Sequence, residues 1–124
     1  MKQDTSLLVQ EYKKHAIILA DTQETGDYKK GNRSSDQLLK ISKIMKEDRE
    51  LAKNVLDSLM ESEDPKVLSS CCVDALVLKH RTDEALNHLT KIVNSDLGMM
   101  SFNAETTLEL YDSEELFELH GVEK

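Results

Sequence analysis

The sequence contains little proline, glycine or aromatic residue: it has one proline, four glycines, no tryptophan and only 4% Phe, Trp and Tyr. Hairpin-rich β folds need more turn residues than that. A core with so few aromatic rings has to consist of Leu, Ile, Val, Ala and Met, which suits helices better than a sheet sandwich. These shortages predict an all-α protein.

Long apolar runs and spaced cysteine pairs are missing as well. The longest uninterrupted apolar run extends from Ala16 to Ala20, whereas a membrane-spanning helix needs about 20 apolar residues. The N-terminus shows no signal-peptide pattern. The two cysteines, Cys71 and Cys72, are adjacent, and neighbouring cysteines rarely bond to each other. We therefore expect a protein of a reducing, cytoplasmic setting that does not associate with membranes.

Positive charge is scarce in the C-terminal half of the chain. The 124 residues fit one domain, 1–124. Residues 1–60 hold 11 Lys+Arg and 10 Asp+Glu, whereas residues 61–124 hold 5 and 14, so the formal net charge of -8 belongs to the second half. Such a field repels nucleic acid and anionic lipid and attracts basic protein surfaces. Acidic side chains also favour solubility, which is the simpler explanation for any one of them.

The apolar periodicity predicts about six helices in antiparallel pairs. Five of the predicted ranges are 6–24, 33–47, 49–61, 65–80 and 99–111, and another helix begins near Thr82 and ends before Gly98. The clearest local signal is Asp64-Pro65, because Asp is a good N-cap and Pro is favoured at the first helical position.

Other helix ends have weaker signals. Ser6 and Thr82 are predicted N-caps, and Gly26 is predicted to end the first helix and to open a connection that runs to Asn32.

In the sixth helix, three side chains are predicted to face inward: Phe102, Leu108 and Tyr111. Asp112 with Glu115 resembles a capping box for a last short turn. We expect the acidic segment 112–124 to fray.

Residues 49–78 resemble one HEAT-like repeat unit, because a Leu-rich helix is followed by Asp64-Pro65 and then by small residues at the helix interface. The whole chain resembles a small bacterial family of HEAT-like helical proteins, known as domain of unknown function number two thousand and nineteen. The stretches that carry this resemblance are Glu11-Tyr12 with Gly26-Asp27-Tyr28 and Asn32, then Asp64-Pro65, and then Phe102-Asn103-Ala104-Glu105-Thr106-Thr107-Leu108. The resemblance implies HEAT-like helix pairs, as a short right-handed solenoid or bundle, and supplies no catalytic residues.

The candidate metal ligands and catalytic groups lack a recognised spacing. They are His15, Cys71, Cys72, His80, His88 and His120. No pair of histidines lies four residues apart with a Glu between them, and there is no second Cys pair. We expect both cysteines to pack as small hydrophobic side chains, and Glu84 and His88 to form a surface pair at i and i+4. The sequence predicts no metal, no cofactor and no enzymatic activity.

Basic residues form only a modest group, which consists of Lys13-Lys14, Lys29-Lys30, Arg33 and the lysines of the second helix. Nucleic-acid binders usually show a larger excess with interleaved aromatic residues. We expect this surface to be solvated.

The acids of the C-terminal half are the predicted partner-binding residues: Glu105, Glu109, Asp112, Glu114, Glu115 and Glu118. They favour a non-enzymatic protein-interaction module, most concretely an immunity or antitoxin-type inhibitor that binds a basic partner such as a nuclease toxin. One alternative is a ligand-binding protein or enzyme that uses Glu84, His88 or a cysteine. Another is a homodimeric adaptor that pairs through Leu116, Phe117 and Leu119.

Overall fold

Residues 4–123 are described by the computed structural model, and within that range they form seven α-helices and no β-strand. The helices are α1 (Thr5–Thr25), α2 (Tyr28–Glu47), α3 (Arg49–Leu59), α4 (Pro65–Leu78), α5 (Thr82–Val93), α6 (Met99–Asp112) and α7 (Glu115–Leu119). They pack against each other as a bundle, so the all-α prediction is confirmed. None of the helices in residues 4–123 combines the length and the apolar character that a bilayer crossing requires.

Helix α4 lies in the middle of the bundle, where it contacts α1, α3, α5 and α6. As predicted, Asp64 caps its first turn by accepting a hydrogen bond from the Lys66 N–H at 2.9 Å, and Pro65 is the first helical residue. Further along the helix, Cys71 and Cys72 are 0% exposed. Both cysteines therefore pack as small hydrophobic side chains, as the sequence predicts.

The two thiols should be inert while the protein is folded. The hydrogen bond with Cys72, together with burial, raises the pKa of the Cys71 thiol, and only the thiolate is strongly nucleophilic. We expect no thiol to react with Ellman's reagent in native buffer, and both thiols to react in denaturing guanidinium chloride. Rapid modification of either cysteine in the native protein would contradict the packing of α4.

Helices α1 and α2 form a close hairpin that is joined by only Gly26 and Asp27. Gly26 ends α1 in the left-handed conformation, at φ 78°. The Asp27 carboxylate then accepts a hydrogen bond from the Lys30 N–H at 3.3 Å, which starts α2 at once. The predicted connection to Asn32 is therefore wrong, since the chain is helical from Tyr28 onward. The first turn of α2 has no apolar periodicity that could reveal it, since two lysines and a glycine follow Tyr28, which is itself 79% exposed.

Two other predicted N-caps are wrong. The cap of α1 is Asp4, whose carboxylate accepts a hydrogen bond from the Ser6 N–H at 2.9 Å, and a carboxylate also suits the positive end of the helix dipole. Thr82 is the first residue of α5, and the N-cap position belongs to Arg81 in a left-handed conformation at φ 53°. The Arg81 guanidinium binds the Glu84 carboxylate at 2.6 Å, which holds the first turn of α5 without a side-chain cap.

Helix α6 presents Phe102 to solvent, with 62% of its surface exposed. The prediction that Phe102 faces inward is therefore wrong, whereas Leu108 and Tyr111 are half-buried as expected. The reason is that the inner side of α6 runs through Ala104, which is 2% exposed. A residue two positions earlier in a helix lies on nearly the opposite side.

The chain after α6 turns sharply and packs back on the bundle. Asp112 is the last residue of α6, and Glu114 adopts a left-handed conformation at φ 67° before α7 begins. The predicted capping box of Asp112 with Glu115 is therefore wrong. In the segment for which we expected fraying, two side chains are buried in the bundle: Leu116 and Phe117.

Candidate functional site

One side of α6 carries three carboxylates and an aromatic ring. Phe102, Glu105, Glu109 and Asp112 are spaced by three, four and three residues, which places them on the same side of a helix. All four side chains are exposed, whereas Ala104 of the same helix is buried. We call these four residues the acidic face. It unites three of the six acids that the sequence predicts to bind a partner.

The remaining three predicted acids follow directly, in the turn after α6 and in α7, and all are exposed: Glu114, Glu115 and Glu118. Within residues 4–123, no ion pair neutralises the side chains of Glu105, Glu109 or Asp112. The sequence also has no Lys or Arg from residue 92 to residue 123. The negative charge of the acidic face is therefore not compensated locally.

The cysteines considered for catalysis are not brought together with Glu84 and His88. Cys71 and Cys72 lie in the core, without exposed surface. The Glu84 carboxylate lies on the partly exposed side of α5, 2.6 Å from the Arg81 guanidinium and 3.8 Å from Nε2 of His88. The expected surface pair of Glu84 and His88 is thus present, and its carboxylate is bound more closely by the arginine.

The other histidines have separate local partners. Nδ1 of His15 lies 3.1 Å from the Ser34 hydroxyl, and Nε2 of His80 lies 2.8 Å from the Asp57 carboxylate. In the described part of the chain, no three His, Cys, Asp or Glu side chains are positioned to hold a metal ion.

The apolar surface predicted for homodimerisation is used inside the molecule. Leu116 and Phe117 are 2% and 6% exposed, and the Phe117 ring lies 6.0 Å from the ring of Tyr111. Only Leu119 of the predicted surface remains exposed. Because Leu116 and Phe117 are buried, the apolar surface on which the dimer hypothesis depended is absent.

Sequence reasoning missed a buried carboxylate in the centre of the bundle. Asp74 of α4 is 7% exposed. Its Oδ2 accepts a hydrogen bond from the Tyr12 hydroxyl of α1 at 2.5 Å, and its Oδ1 accepts one from the Ser42 hydroxyl of α2 at 2.8 Å. The Ser70 hydroxyl lies 3.1 Å from the Tyr12 hydroxyl. This cluster, which we call the Asp74 cluster, links three helices by polar contacts.

Burial determines the protonation of the Asp74 cluster. It raises the pKa of Asp74, although the hydrogen bonds from Tyr12 and Ser42 act in the opposite direction. Burial and the charge of Asp74 raise the pKa of Tyr12 well above its usual value, so the phenol stays protonated and donates. Burial also lowers the pKa of His120, which keeps the imidazole neutral near pH 7.

Asp74 lines a cleft of about 220 Å³ between helices α1, α2, α4 and α6. His120 also lines this cleft, and its carbonyl accepts a hydrogen bond from Nζ of Lys46 at 2.6 Å. A sequence signal for this site exists, since an acid among the apolar residues of α4 is unusual in a buried helix. Its partners, however, lie 62 and 32 residues away.

No family model, curated protein or solved structure matches this chain. The resemblance to the HEAT-like family and the pairing of helices in HEAT-like units therefore stay predictions.

Proposed function

We propose that this protein is a non-enzymatic interaction module that binds a basic protein through the acidic face of α6. The observation that carries the proposal is the exposed, uncompensated row of Glu105, Glu109 and Asp112 beside an exposed Phe102. Unpaired surface carboxylates attract a basic partner over a distance and raise its association rate. An exposed aromatic ring supplies the contact area that charge alone lacks.

The chemistry of this surface selects a protein partner. Nucleic acids and anionic membranes are repelled by a face without Lys or Arg. In its most concrete form, the partner is a basic toxin domain such as a nuclease, and the protein is its immunity or antitoxin-type inhibitor. A reducing, cytoplasmic setting fits this role and is supported by the two free, buried cysteines.

Capture of the partner tests the proposal. The tagged protein is used as bait in an extract of the cells that encode it, beside a reversed variant, Glu105→Lys/Glu109→Lys/Asp112→Lys. We expect the wild type to retain a protein whose isoelectric point is above about 9, and the reversed variant to lose it. Adding the wild-type protein should then inhibit the activity of that captured protein. Equal capture by both baits would contradict the proposal.

Phe102 is expected to be an affinity anchor without a role in stability. Truncation of a central aromatic residue in an interface often costs about 2 kcal/mol or more, roughly 30-fold in Kd. Because Phe102 is mostly exposed, Phe102→Ala should leave the free energy of unfolding within about 0.5 kcal/mol of the wild type. Calorimetric titration with the captured partner and urea unfolding measure both quantities. A matched control is Leu7→Ala, which removes another exposed apolar side chain, on α1, and should leave the affinity unchanged.

A further inference from the structure

The Asp74 cleft has the size and walls of a site for a small organic molecule. Its volume of about 220 Å³ exceeds the roughly 150 Å³ cavity that accommodates a benzene ring and is smaller than typical pockets for larger ligands. Its apolar walls are formed by Leu38, Leu39, Val73 and Met100. Polar groups also reach the cleft, including the Asn103 amide of α6.

The Asp74 carboxylate has no cation at contact distance, although the charge of Lys46 acts on it from further away. Asp74 is the only acid among the lining residues, and within residues 4–123 no Lys, Arg or His nitrogen lies within 4.0 Å of its carboxylate. Lys66, which also lines the cleft, binds Asp21 at 2.6 Å. Lys46 is engaged with the carbonyl of His120.

The carboxylate still has acceptor capacity. An ionised carboxylate accepts about four hydrogen bonds, and Asp74 receives two, from Tyr12 and Ser42. The hydroxyls of Ser69 and Ser70 line the cleft as well and can accept further N–H groups.

We propose that the cleft binds a small primary alkylammonium ion, whose nitrogen donates to Asp74 and whose carbon chain lies against Leu38, Val73 and Met100. A charge-assisted hydrogen bond is stronger than a neutral one, and the low dielectric of a half-enclosed site strengthens it further. Anions are repelled by the carboxylate, and a quaternary ammonium has no N–H group to donate.

This site is separate from the acidic face. On α6 the cleft is lined by Met100 and Asn103, whereas Glu105 and Glu109 point to other sides of the helix. The amine site and the binding of a basic protein to the acidic face can therefore be tested separately, and a negative result for one does not decide the other.

The test is a titration of the full-length, isotope-labelled protein with n-butylamine hydrochloride, monitored by two-dimensional NMR, beside n-butanol as the neutral ligand of the same shape. We expect saturable shifts around residues 35–42 and 66–74, with a Kd in the millimolar range or tighter. The alcohol should bind at least tenfold more weakly. Equal binding of amine and alcohol, or no saturable shift with the amine, would overturn the proposal.

Variants assign the binding to the carboxylate. Asp74→Asn should reduce amine affinity at least tenfold. Glu105→Gln, which removes the same charge from the acidic face, should leave it unchanged. Ser35 lines the cleft but is not part of the Asp74 cluster, and the bulky side chain of Ser35→Phe should also abolish binding, so the test does not depend on the folding of one variant. Retained amine affinity in both Asp74→Asn and Ser35→Phe would refute the site.

An alkylammonium group can come from a free amine or from a lysine side chain of a peptide. Nα-acetyl-lysine methylamide distinguishes these sources, because its peptide groups must fit outside the cleft mouth. Tighter binding than n-butylamine supports a peptide lysine as the occupant. Weaker binding, together with retained n-butylamine binding, supports a free amine.

Discussion

Replacing Tyr12 by Phe is expected to lower the free energy of unfolding at neutral pH by about 1–3 kcal/mol, because the buried Asp74 carboxyl group loses a hydrogen-bond donor. The Tyr12 side chain is 0% exposed and its hydroxyl donates to the Asp74 carboxylate. Phe fills almost the same volume, so the loss reflects the polar contact and not a cavity. Urea denaturation at equilibrium measures the change, and the same substitution at the exposed Tyr28 is the matched control.

The effect of Tyr12→Phe should depend on pH. Burial raises the pKa of Asp74 in the folded protein above its ordinary value of 3.8. The contribution of Asp74 to the free energy of unfolding is therefore fully present below about pH 4, and it is lost as the pH rises through the folded-state pKa. The hydrogen bond from Tyr12 lowers that pKa, and it therefore matters most for the ionised form. The destabilisation should be larger at about pH 7 than at about pH 4.

A double-mutant cycle separates this hydrogen bond from other effects of the substitution. In an Asp74→Asn background, Tyr12→Phe should cost only about 0.5–1.5 kcal/mol, as expected for a bond between neutral groups. If Tyr12→Phe costs the same in both backgrounds and at both pH values, the hydroxyl does not stabilise an ionised Asp74.

The reversed variant is expected to bind the purified basic partner at least about 100-fold more weakly than the wild type, which corresponds to about 2.7 kcal/mol. Three reversals turn attraction into repulsion at one surface, which slows association and also weakens the bound state. The fold should survive, because the side chains of Glu105, Glu109 and Asp112 are exposed and Lys is a good helix former. Surface plasmon resonance gives the rate constants and the affinity.

A control variant carries the same change of net charge elsewhere: Asp36→Lys/Glu47→Lys/Glu61→Lys, at exposed positions outside α6 and α7. We expect its affinity to stay within about threefold of the wild type at physiological salt, where charges beyond about 8 Å are screened. If both triple variants lose affinity equally, net charge and not the acidic face governs binding.

The sequence predicts most helices because their apolar residues repeat with the period of a helix. The predicted ranges 49–61 and 65–80 differ by only two residues from Arg49–Leu59 and Pro65–Leu78. The same signal fails at the start of α2, where the first turn is exposed and the helix depends on the Asp27 cap and on close contact with α1. There, a Cβ atom on Gly31 would lie 2.7 Å from Oγ1 of Thr22.

The two candidate sites were predictable to different degrees. The acids of α6 can be named from charge alone, but the orientation of Phe102 follows from helix rotation, which is fixed by burial of Ala104. The Asp74 cluster depends on contacts between distant segments, with Tyr12 on α1 and Ser42 on α2. The local sequence pattern carries no information about contacts between distant segments. An acid in an apolar helix can therefore be identified from the sequence, but its hydrogen-bond partners cannot.

Mapping the partner on the isotope-labelled protein by two-dimensional NMR shows directly whether the acidic face binds it. We expect the largest shift changes or line broadening at Phe102, Glu105, Glu109 and Asp112, and little effect on α2 and α3. Changes concentrated on α2 and α3, with the exposed side of α6 unaltered, would contradict the assignment of the acidic face as the binding surface.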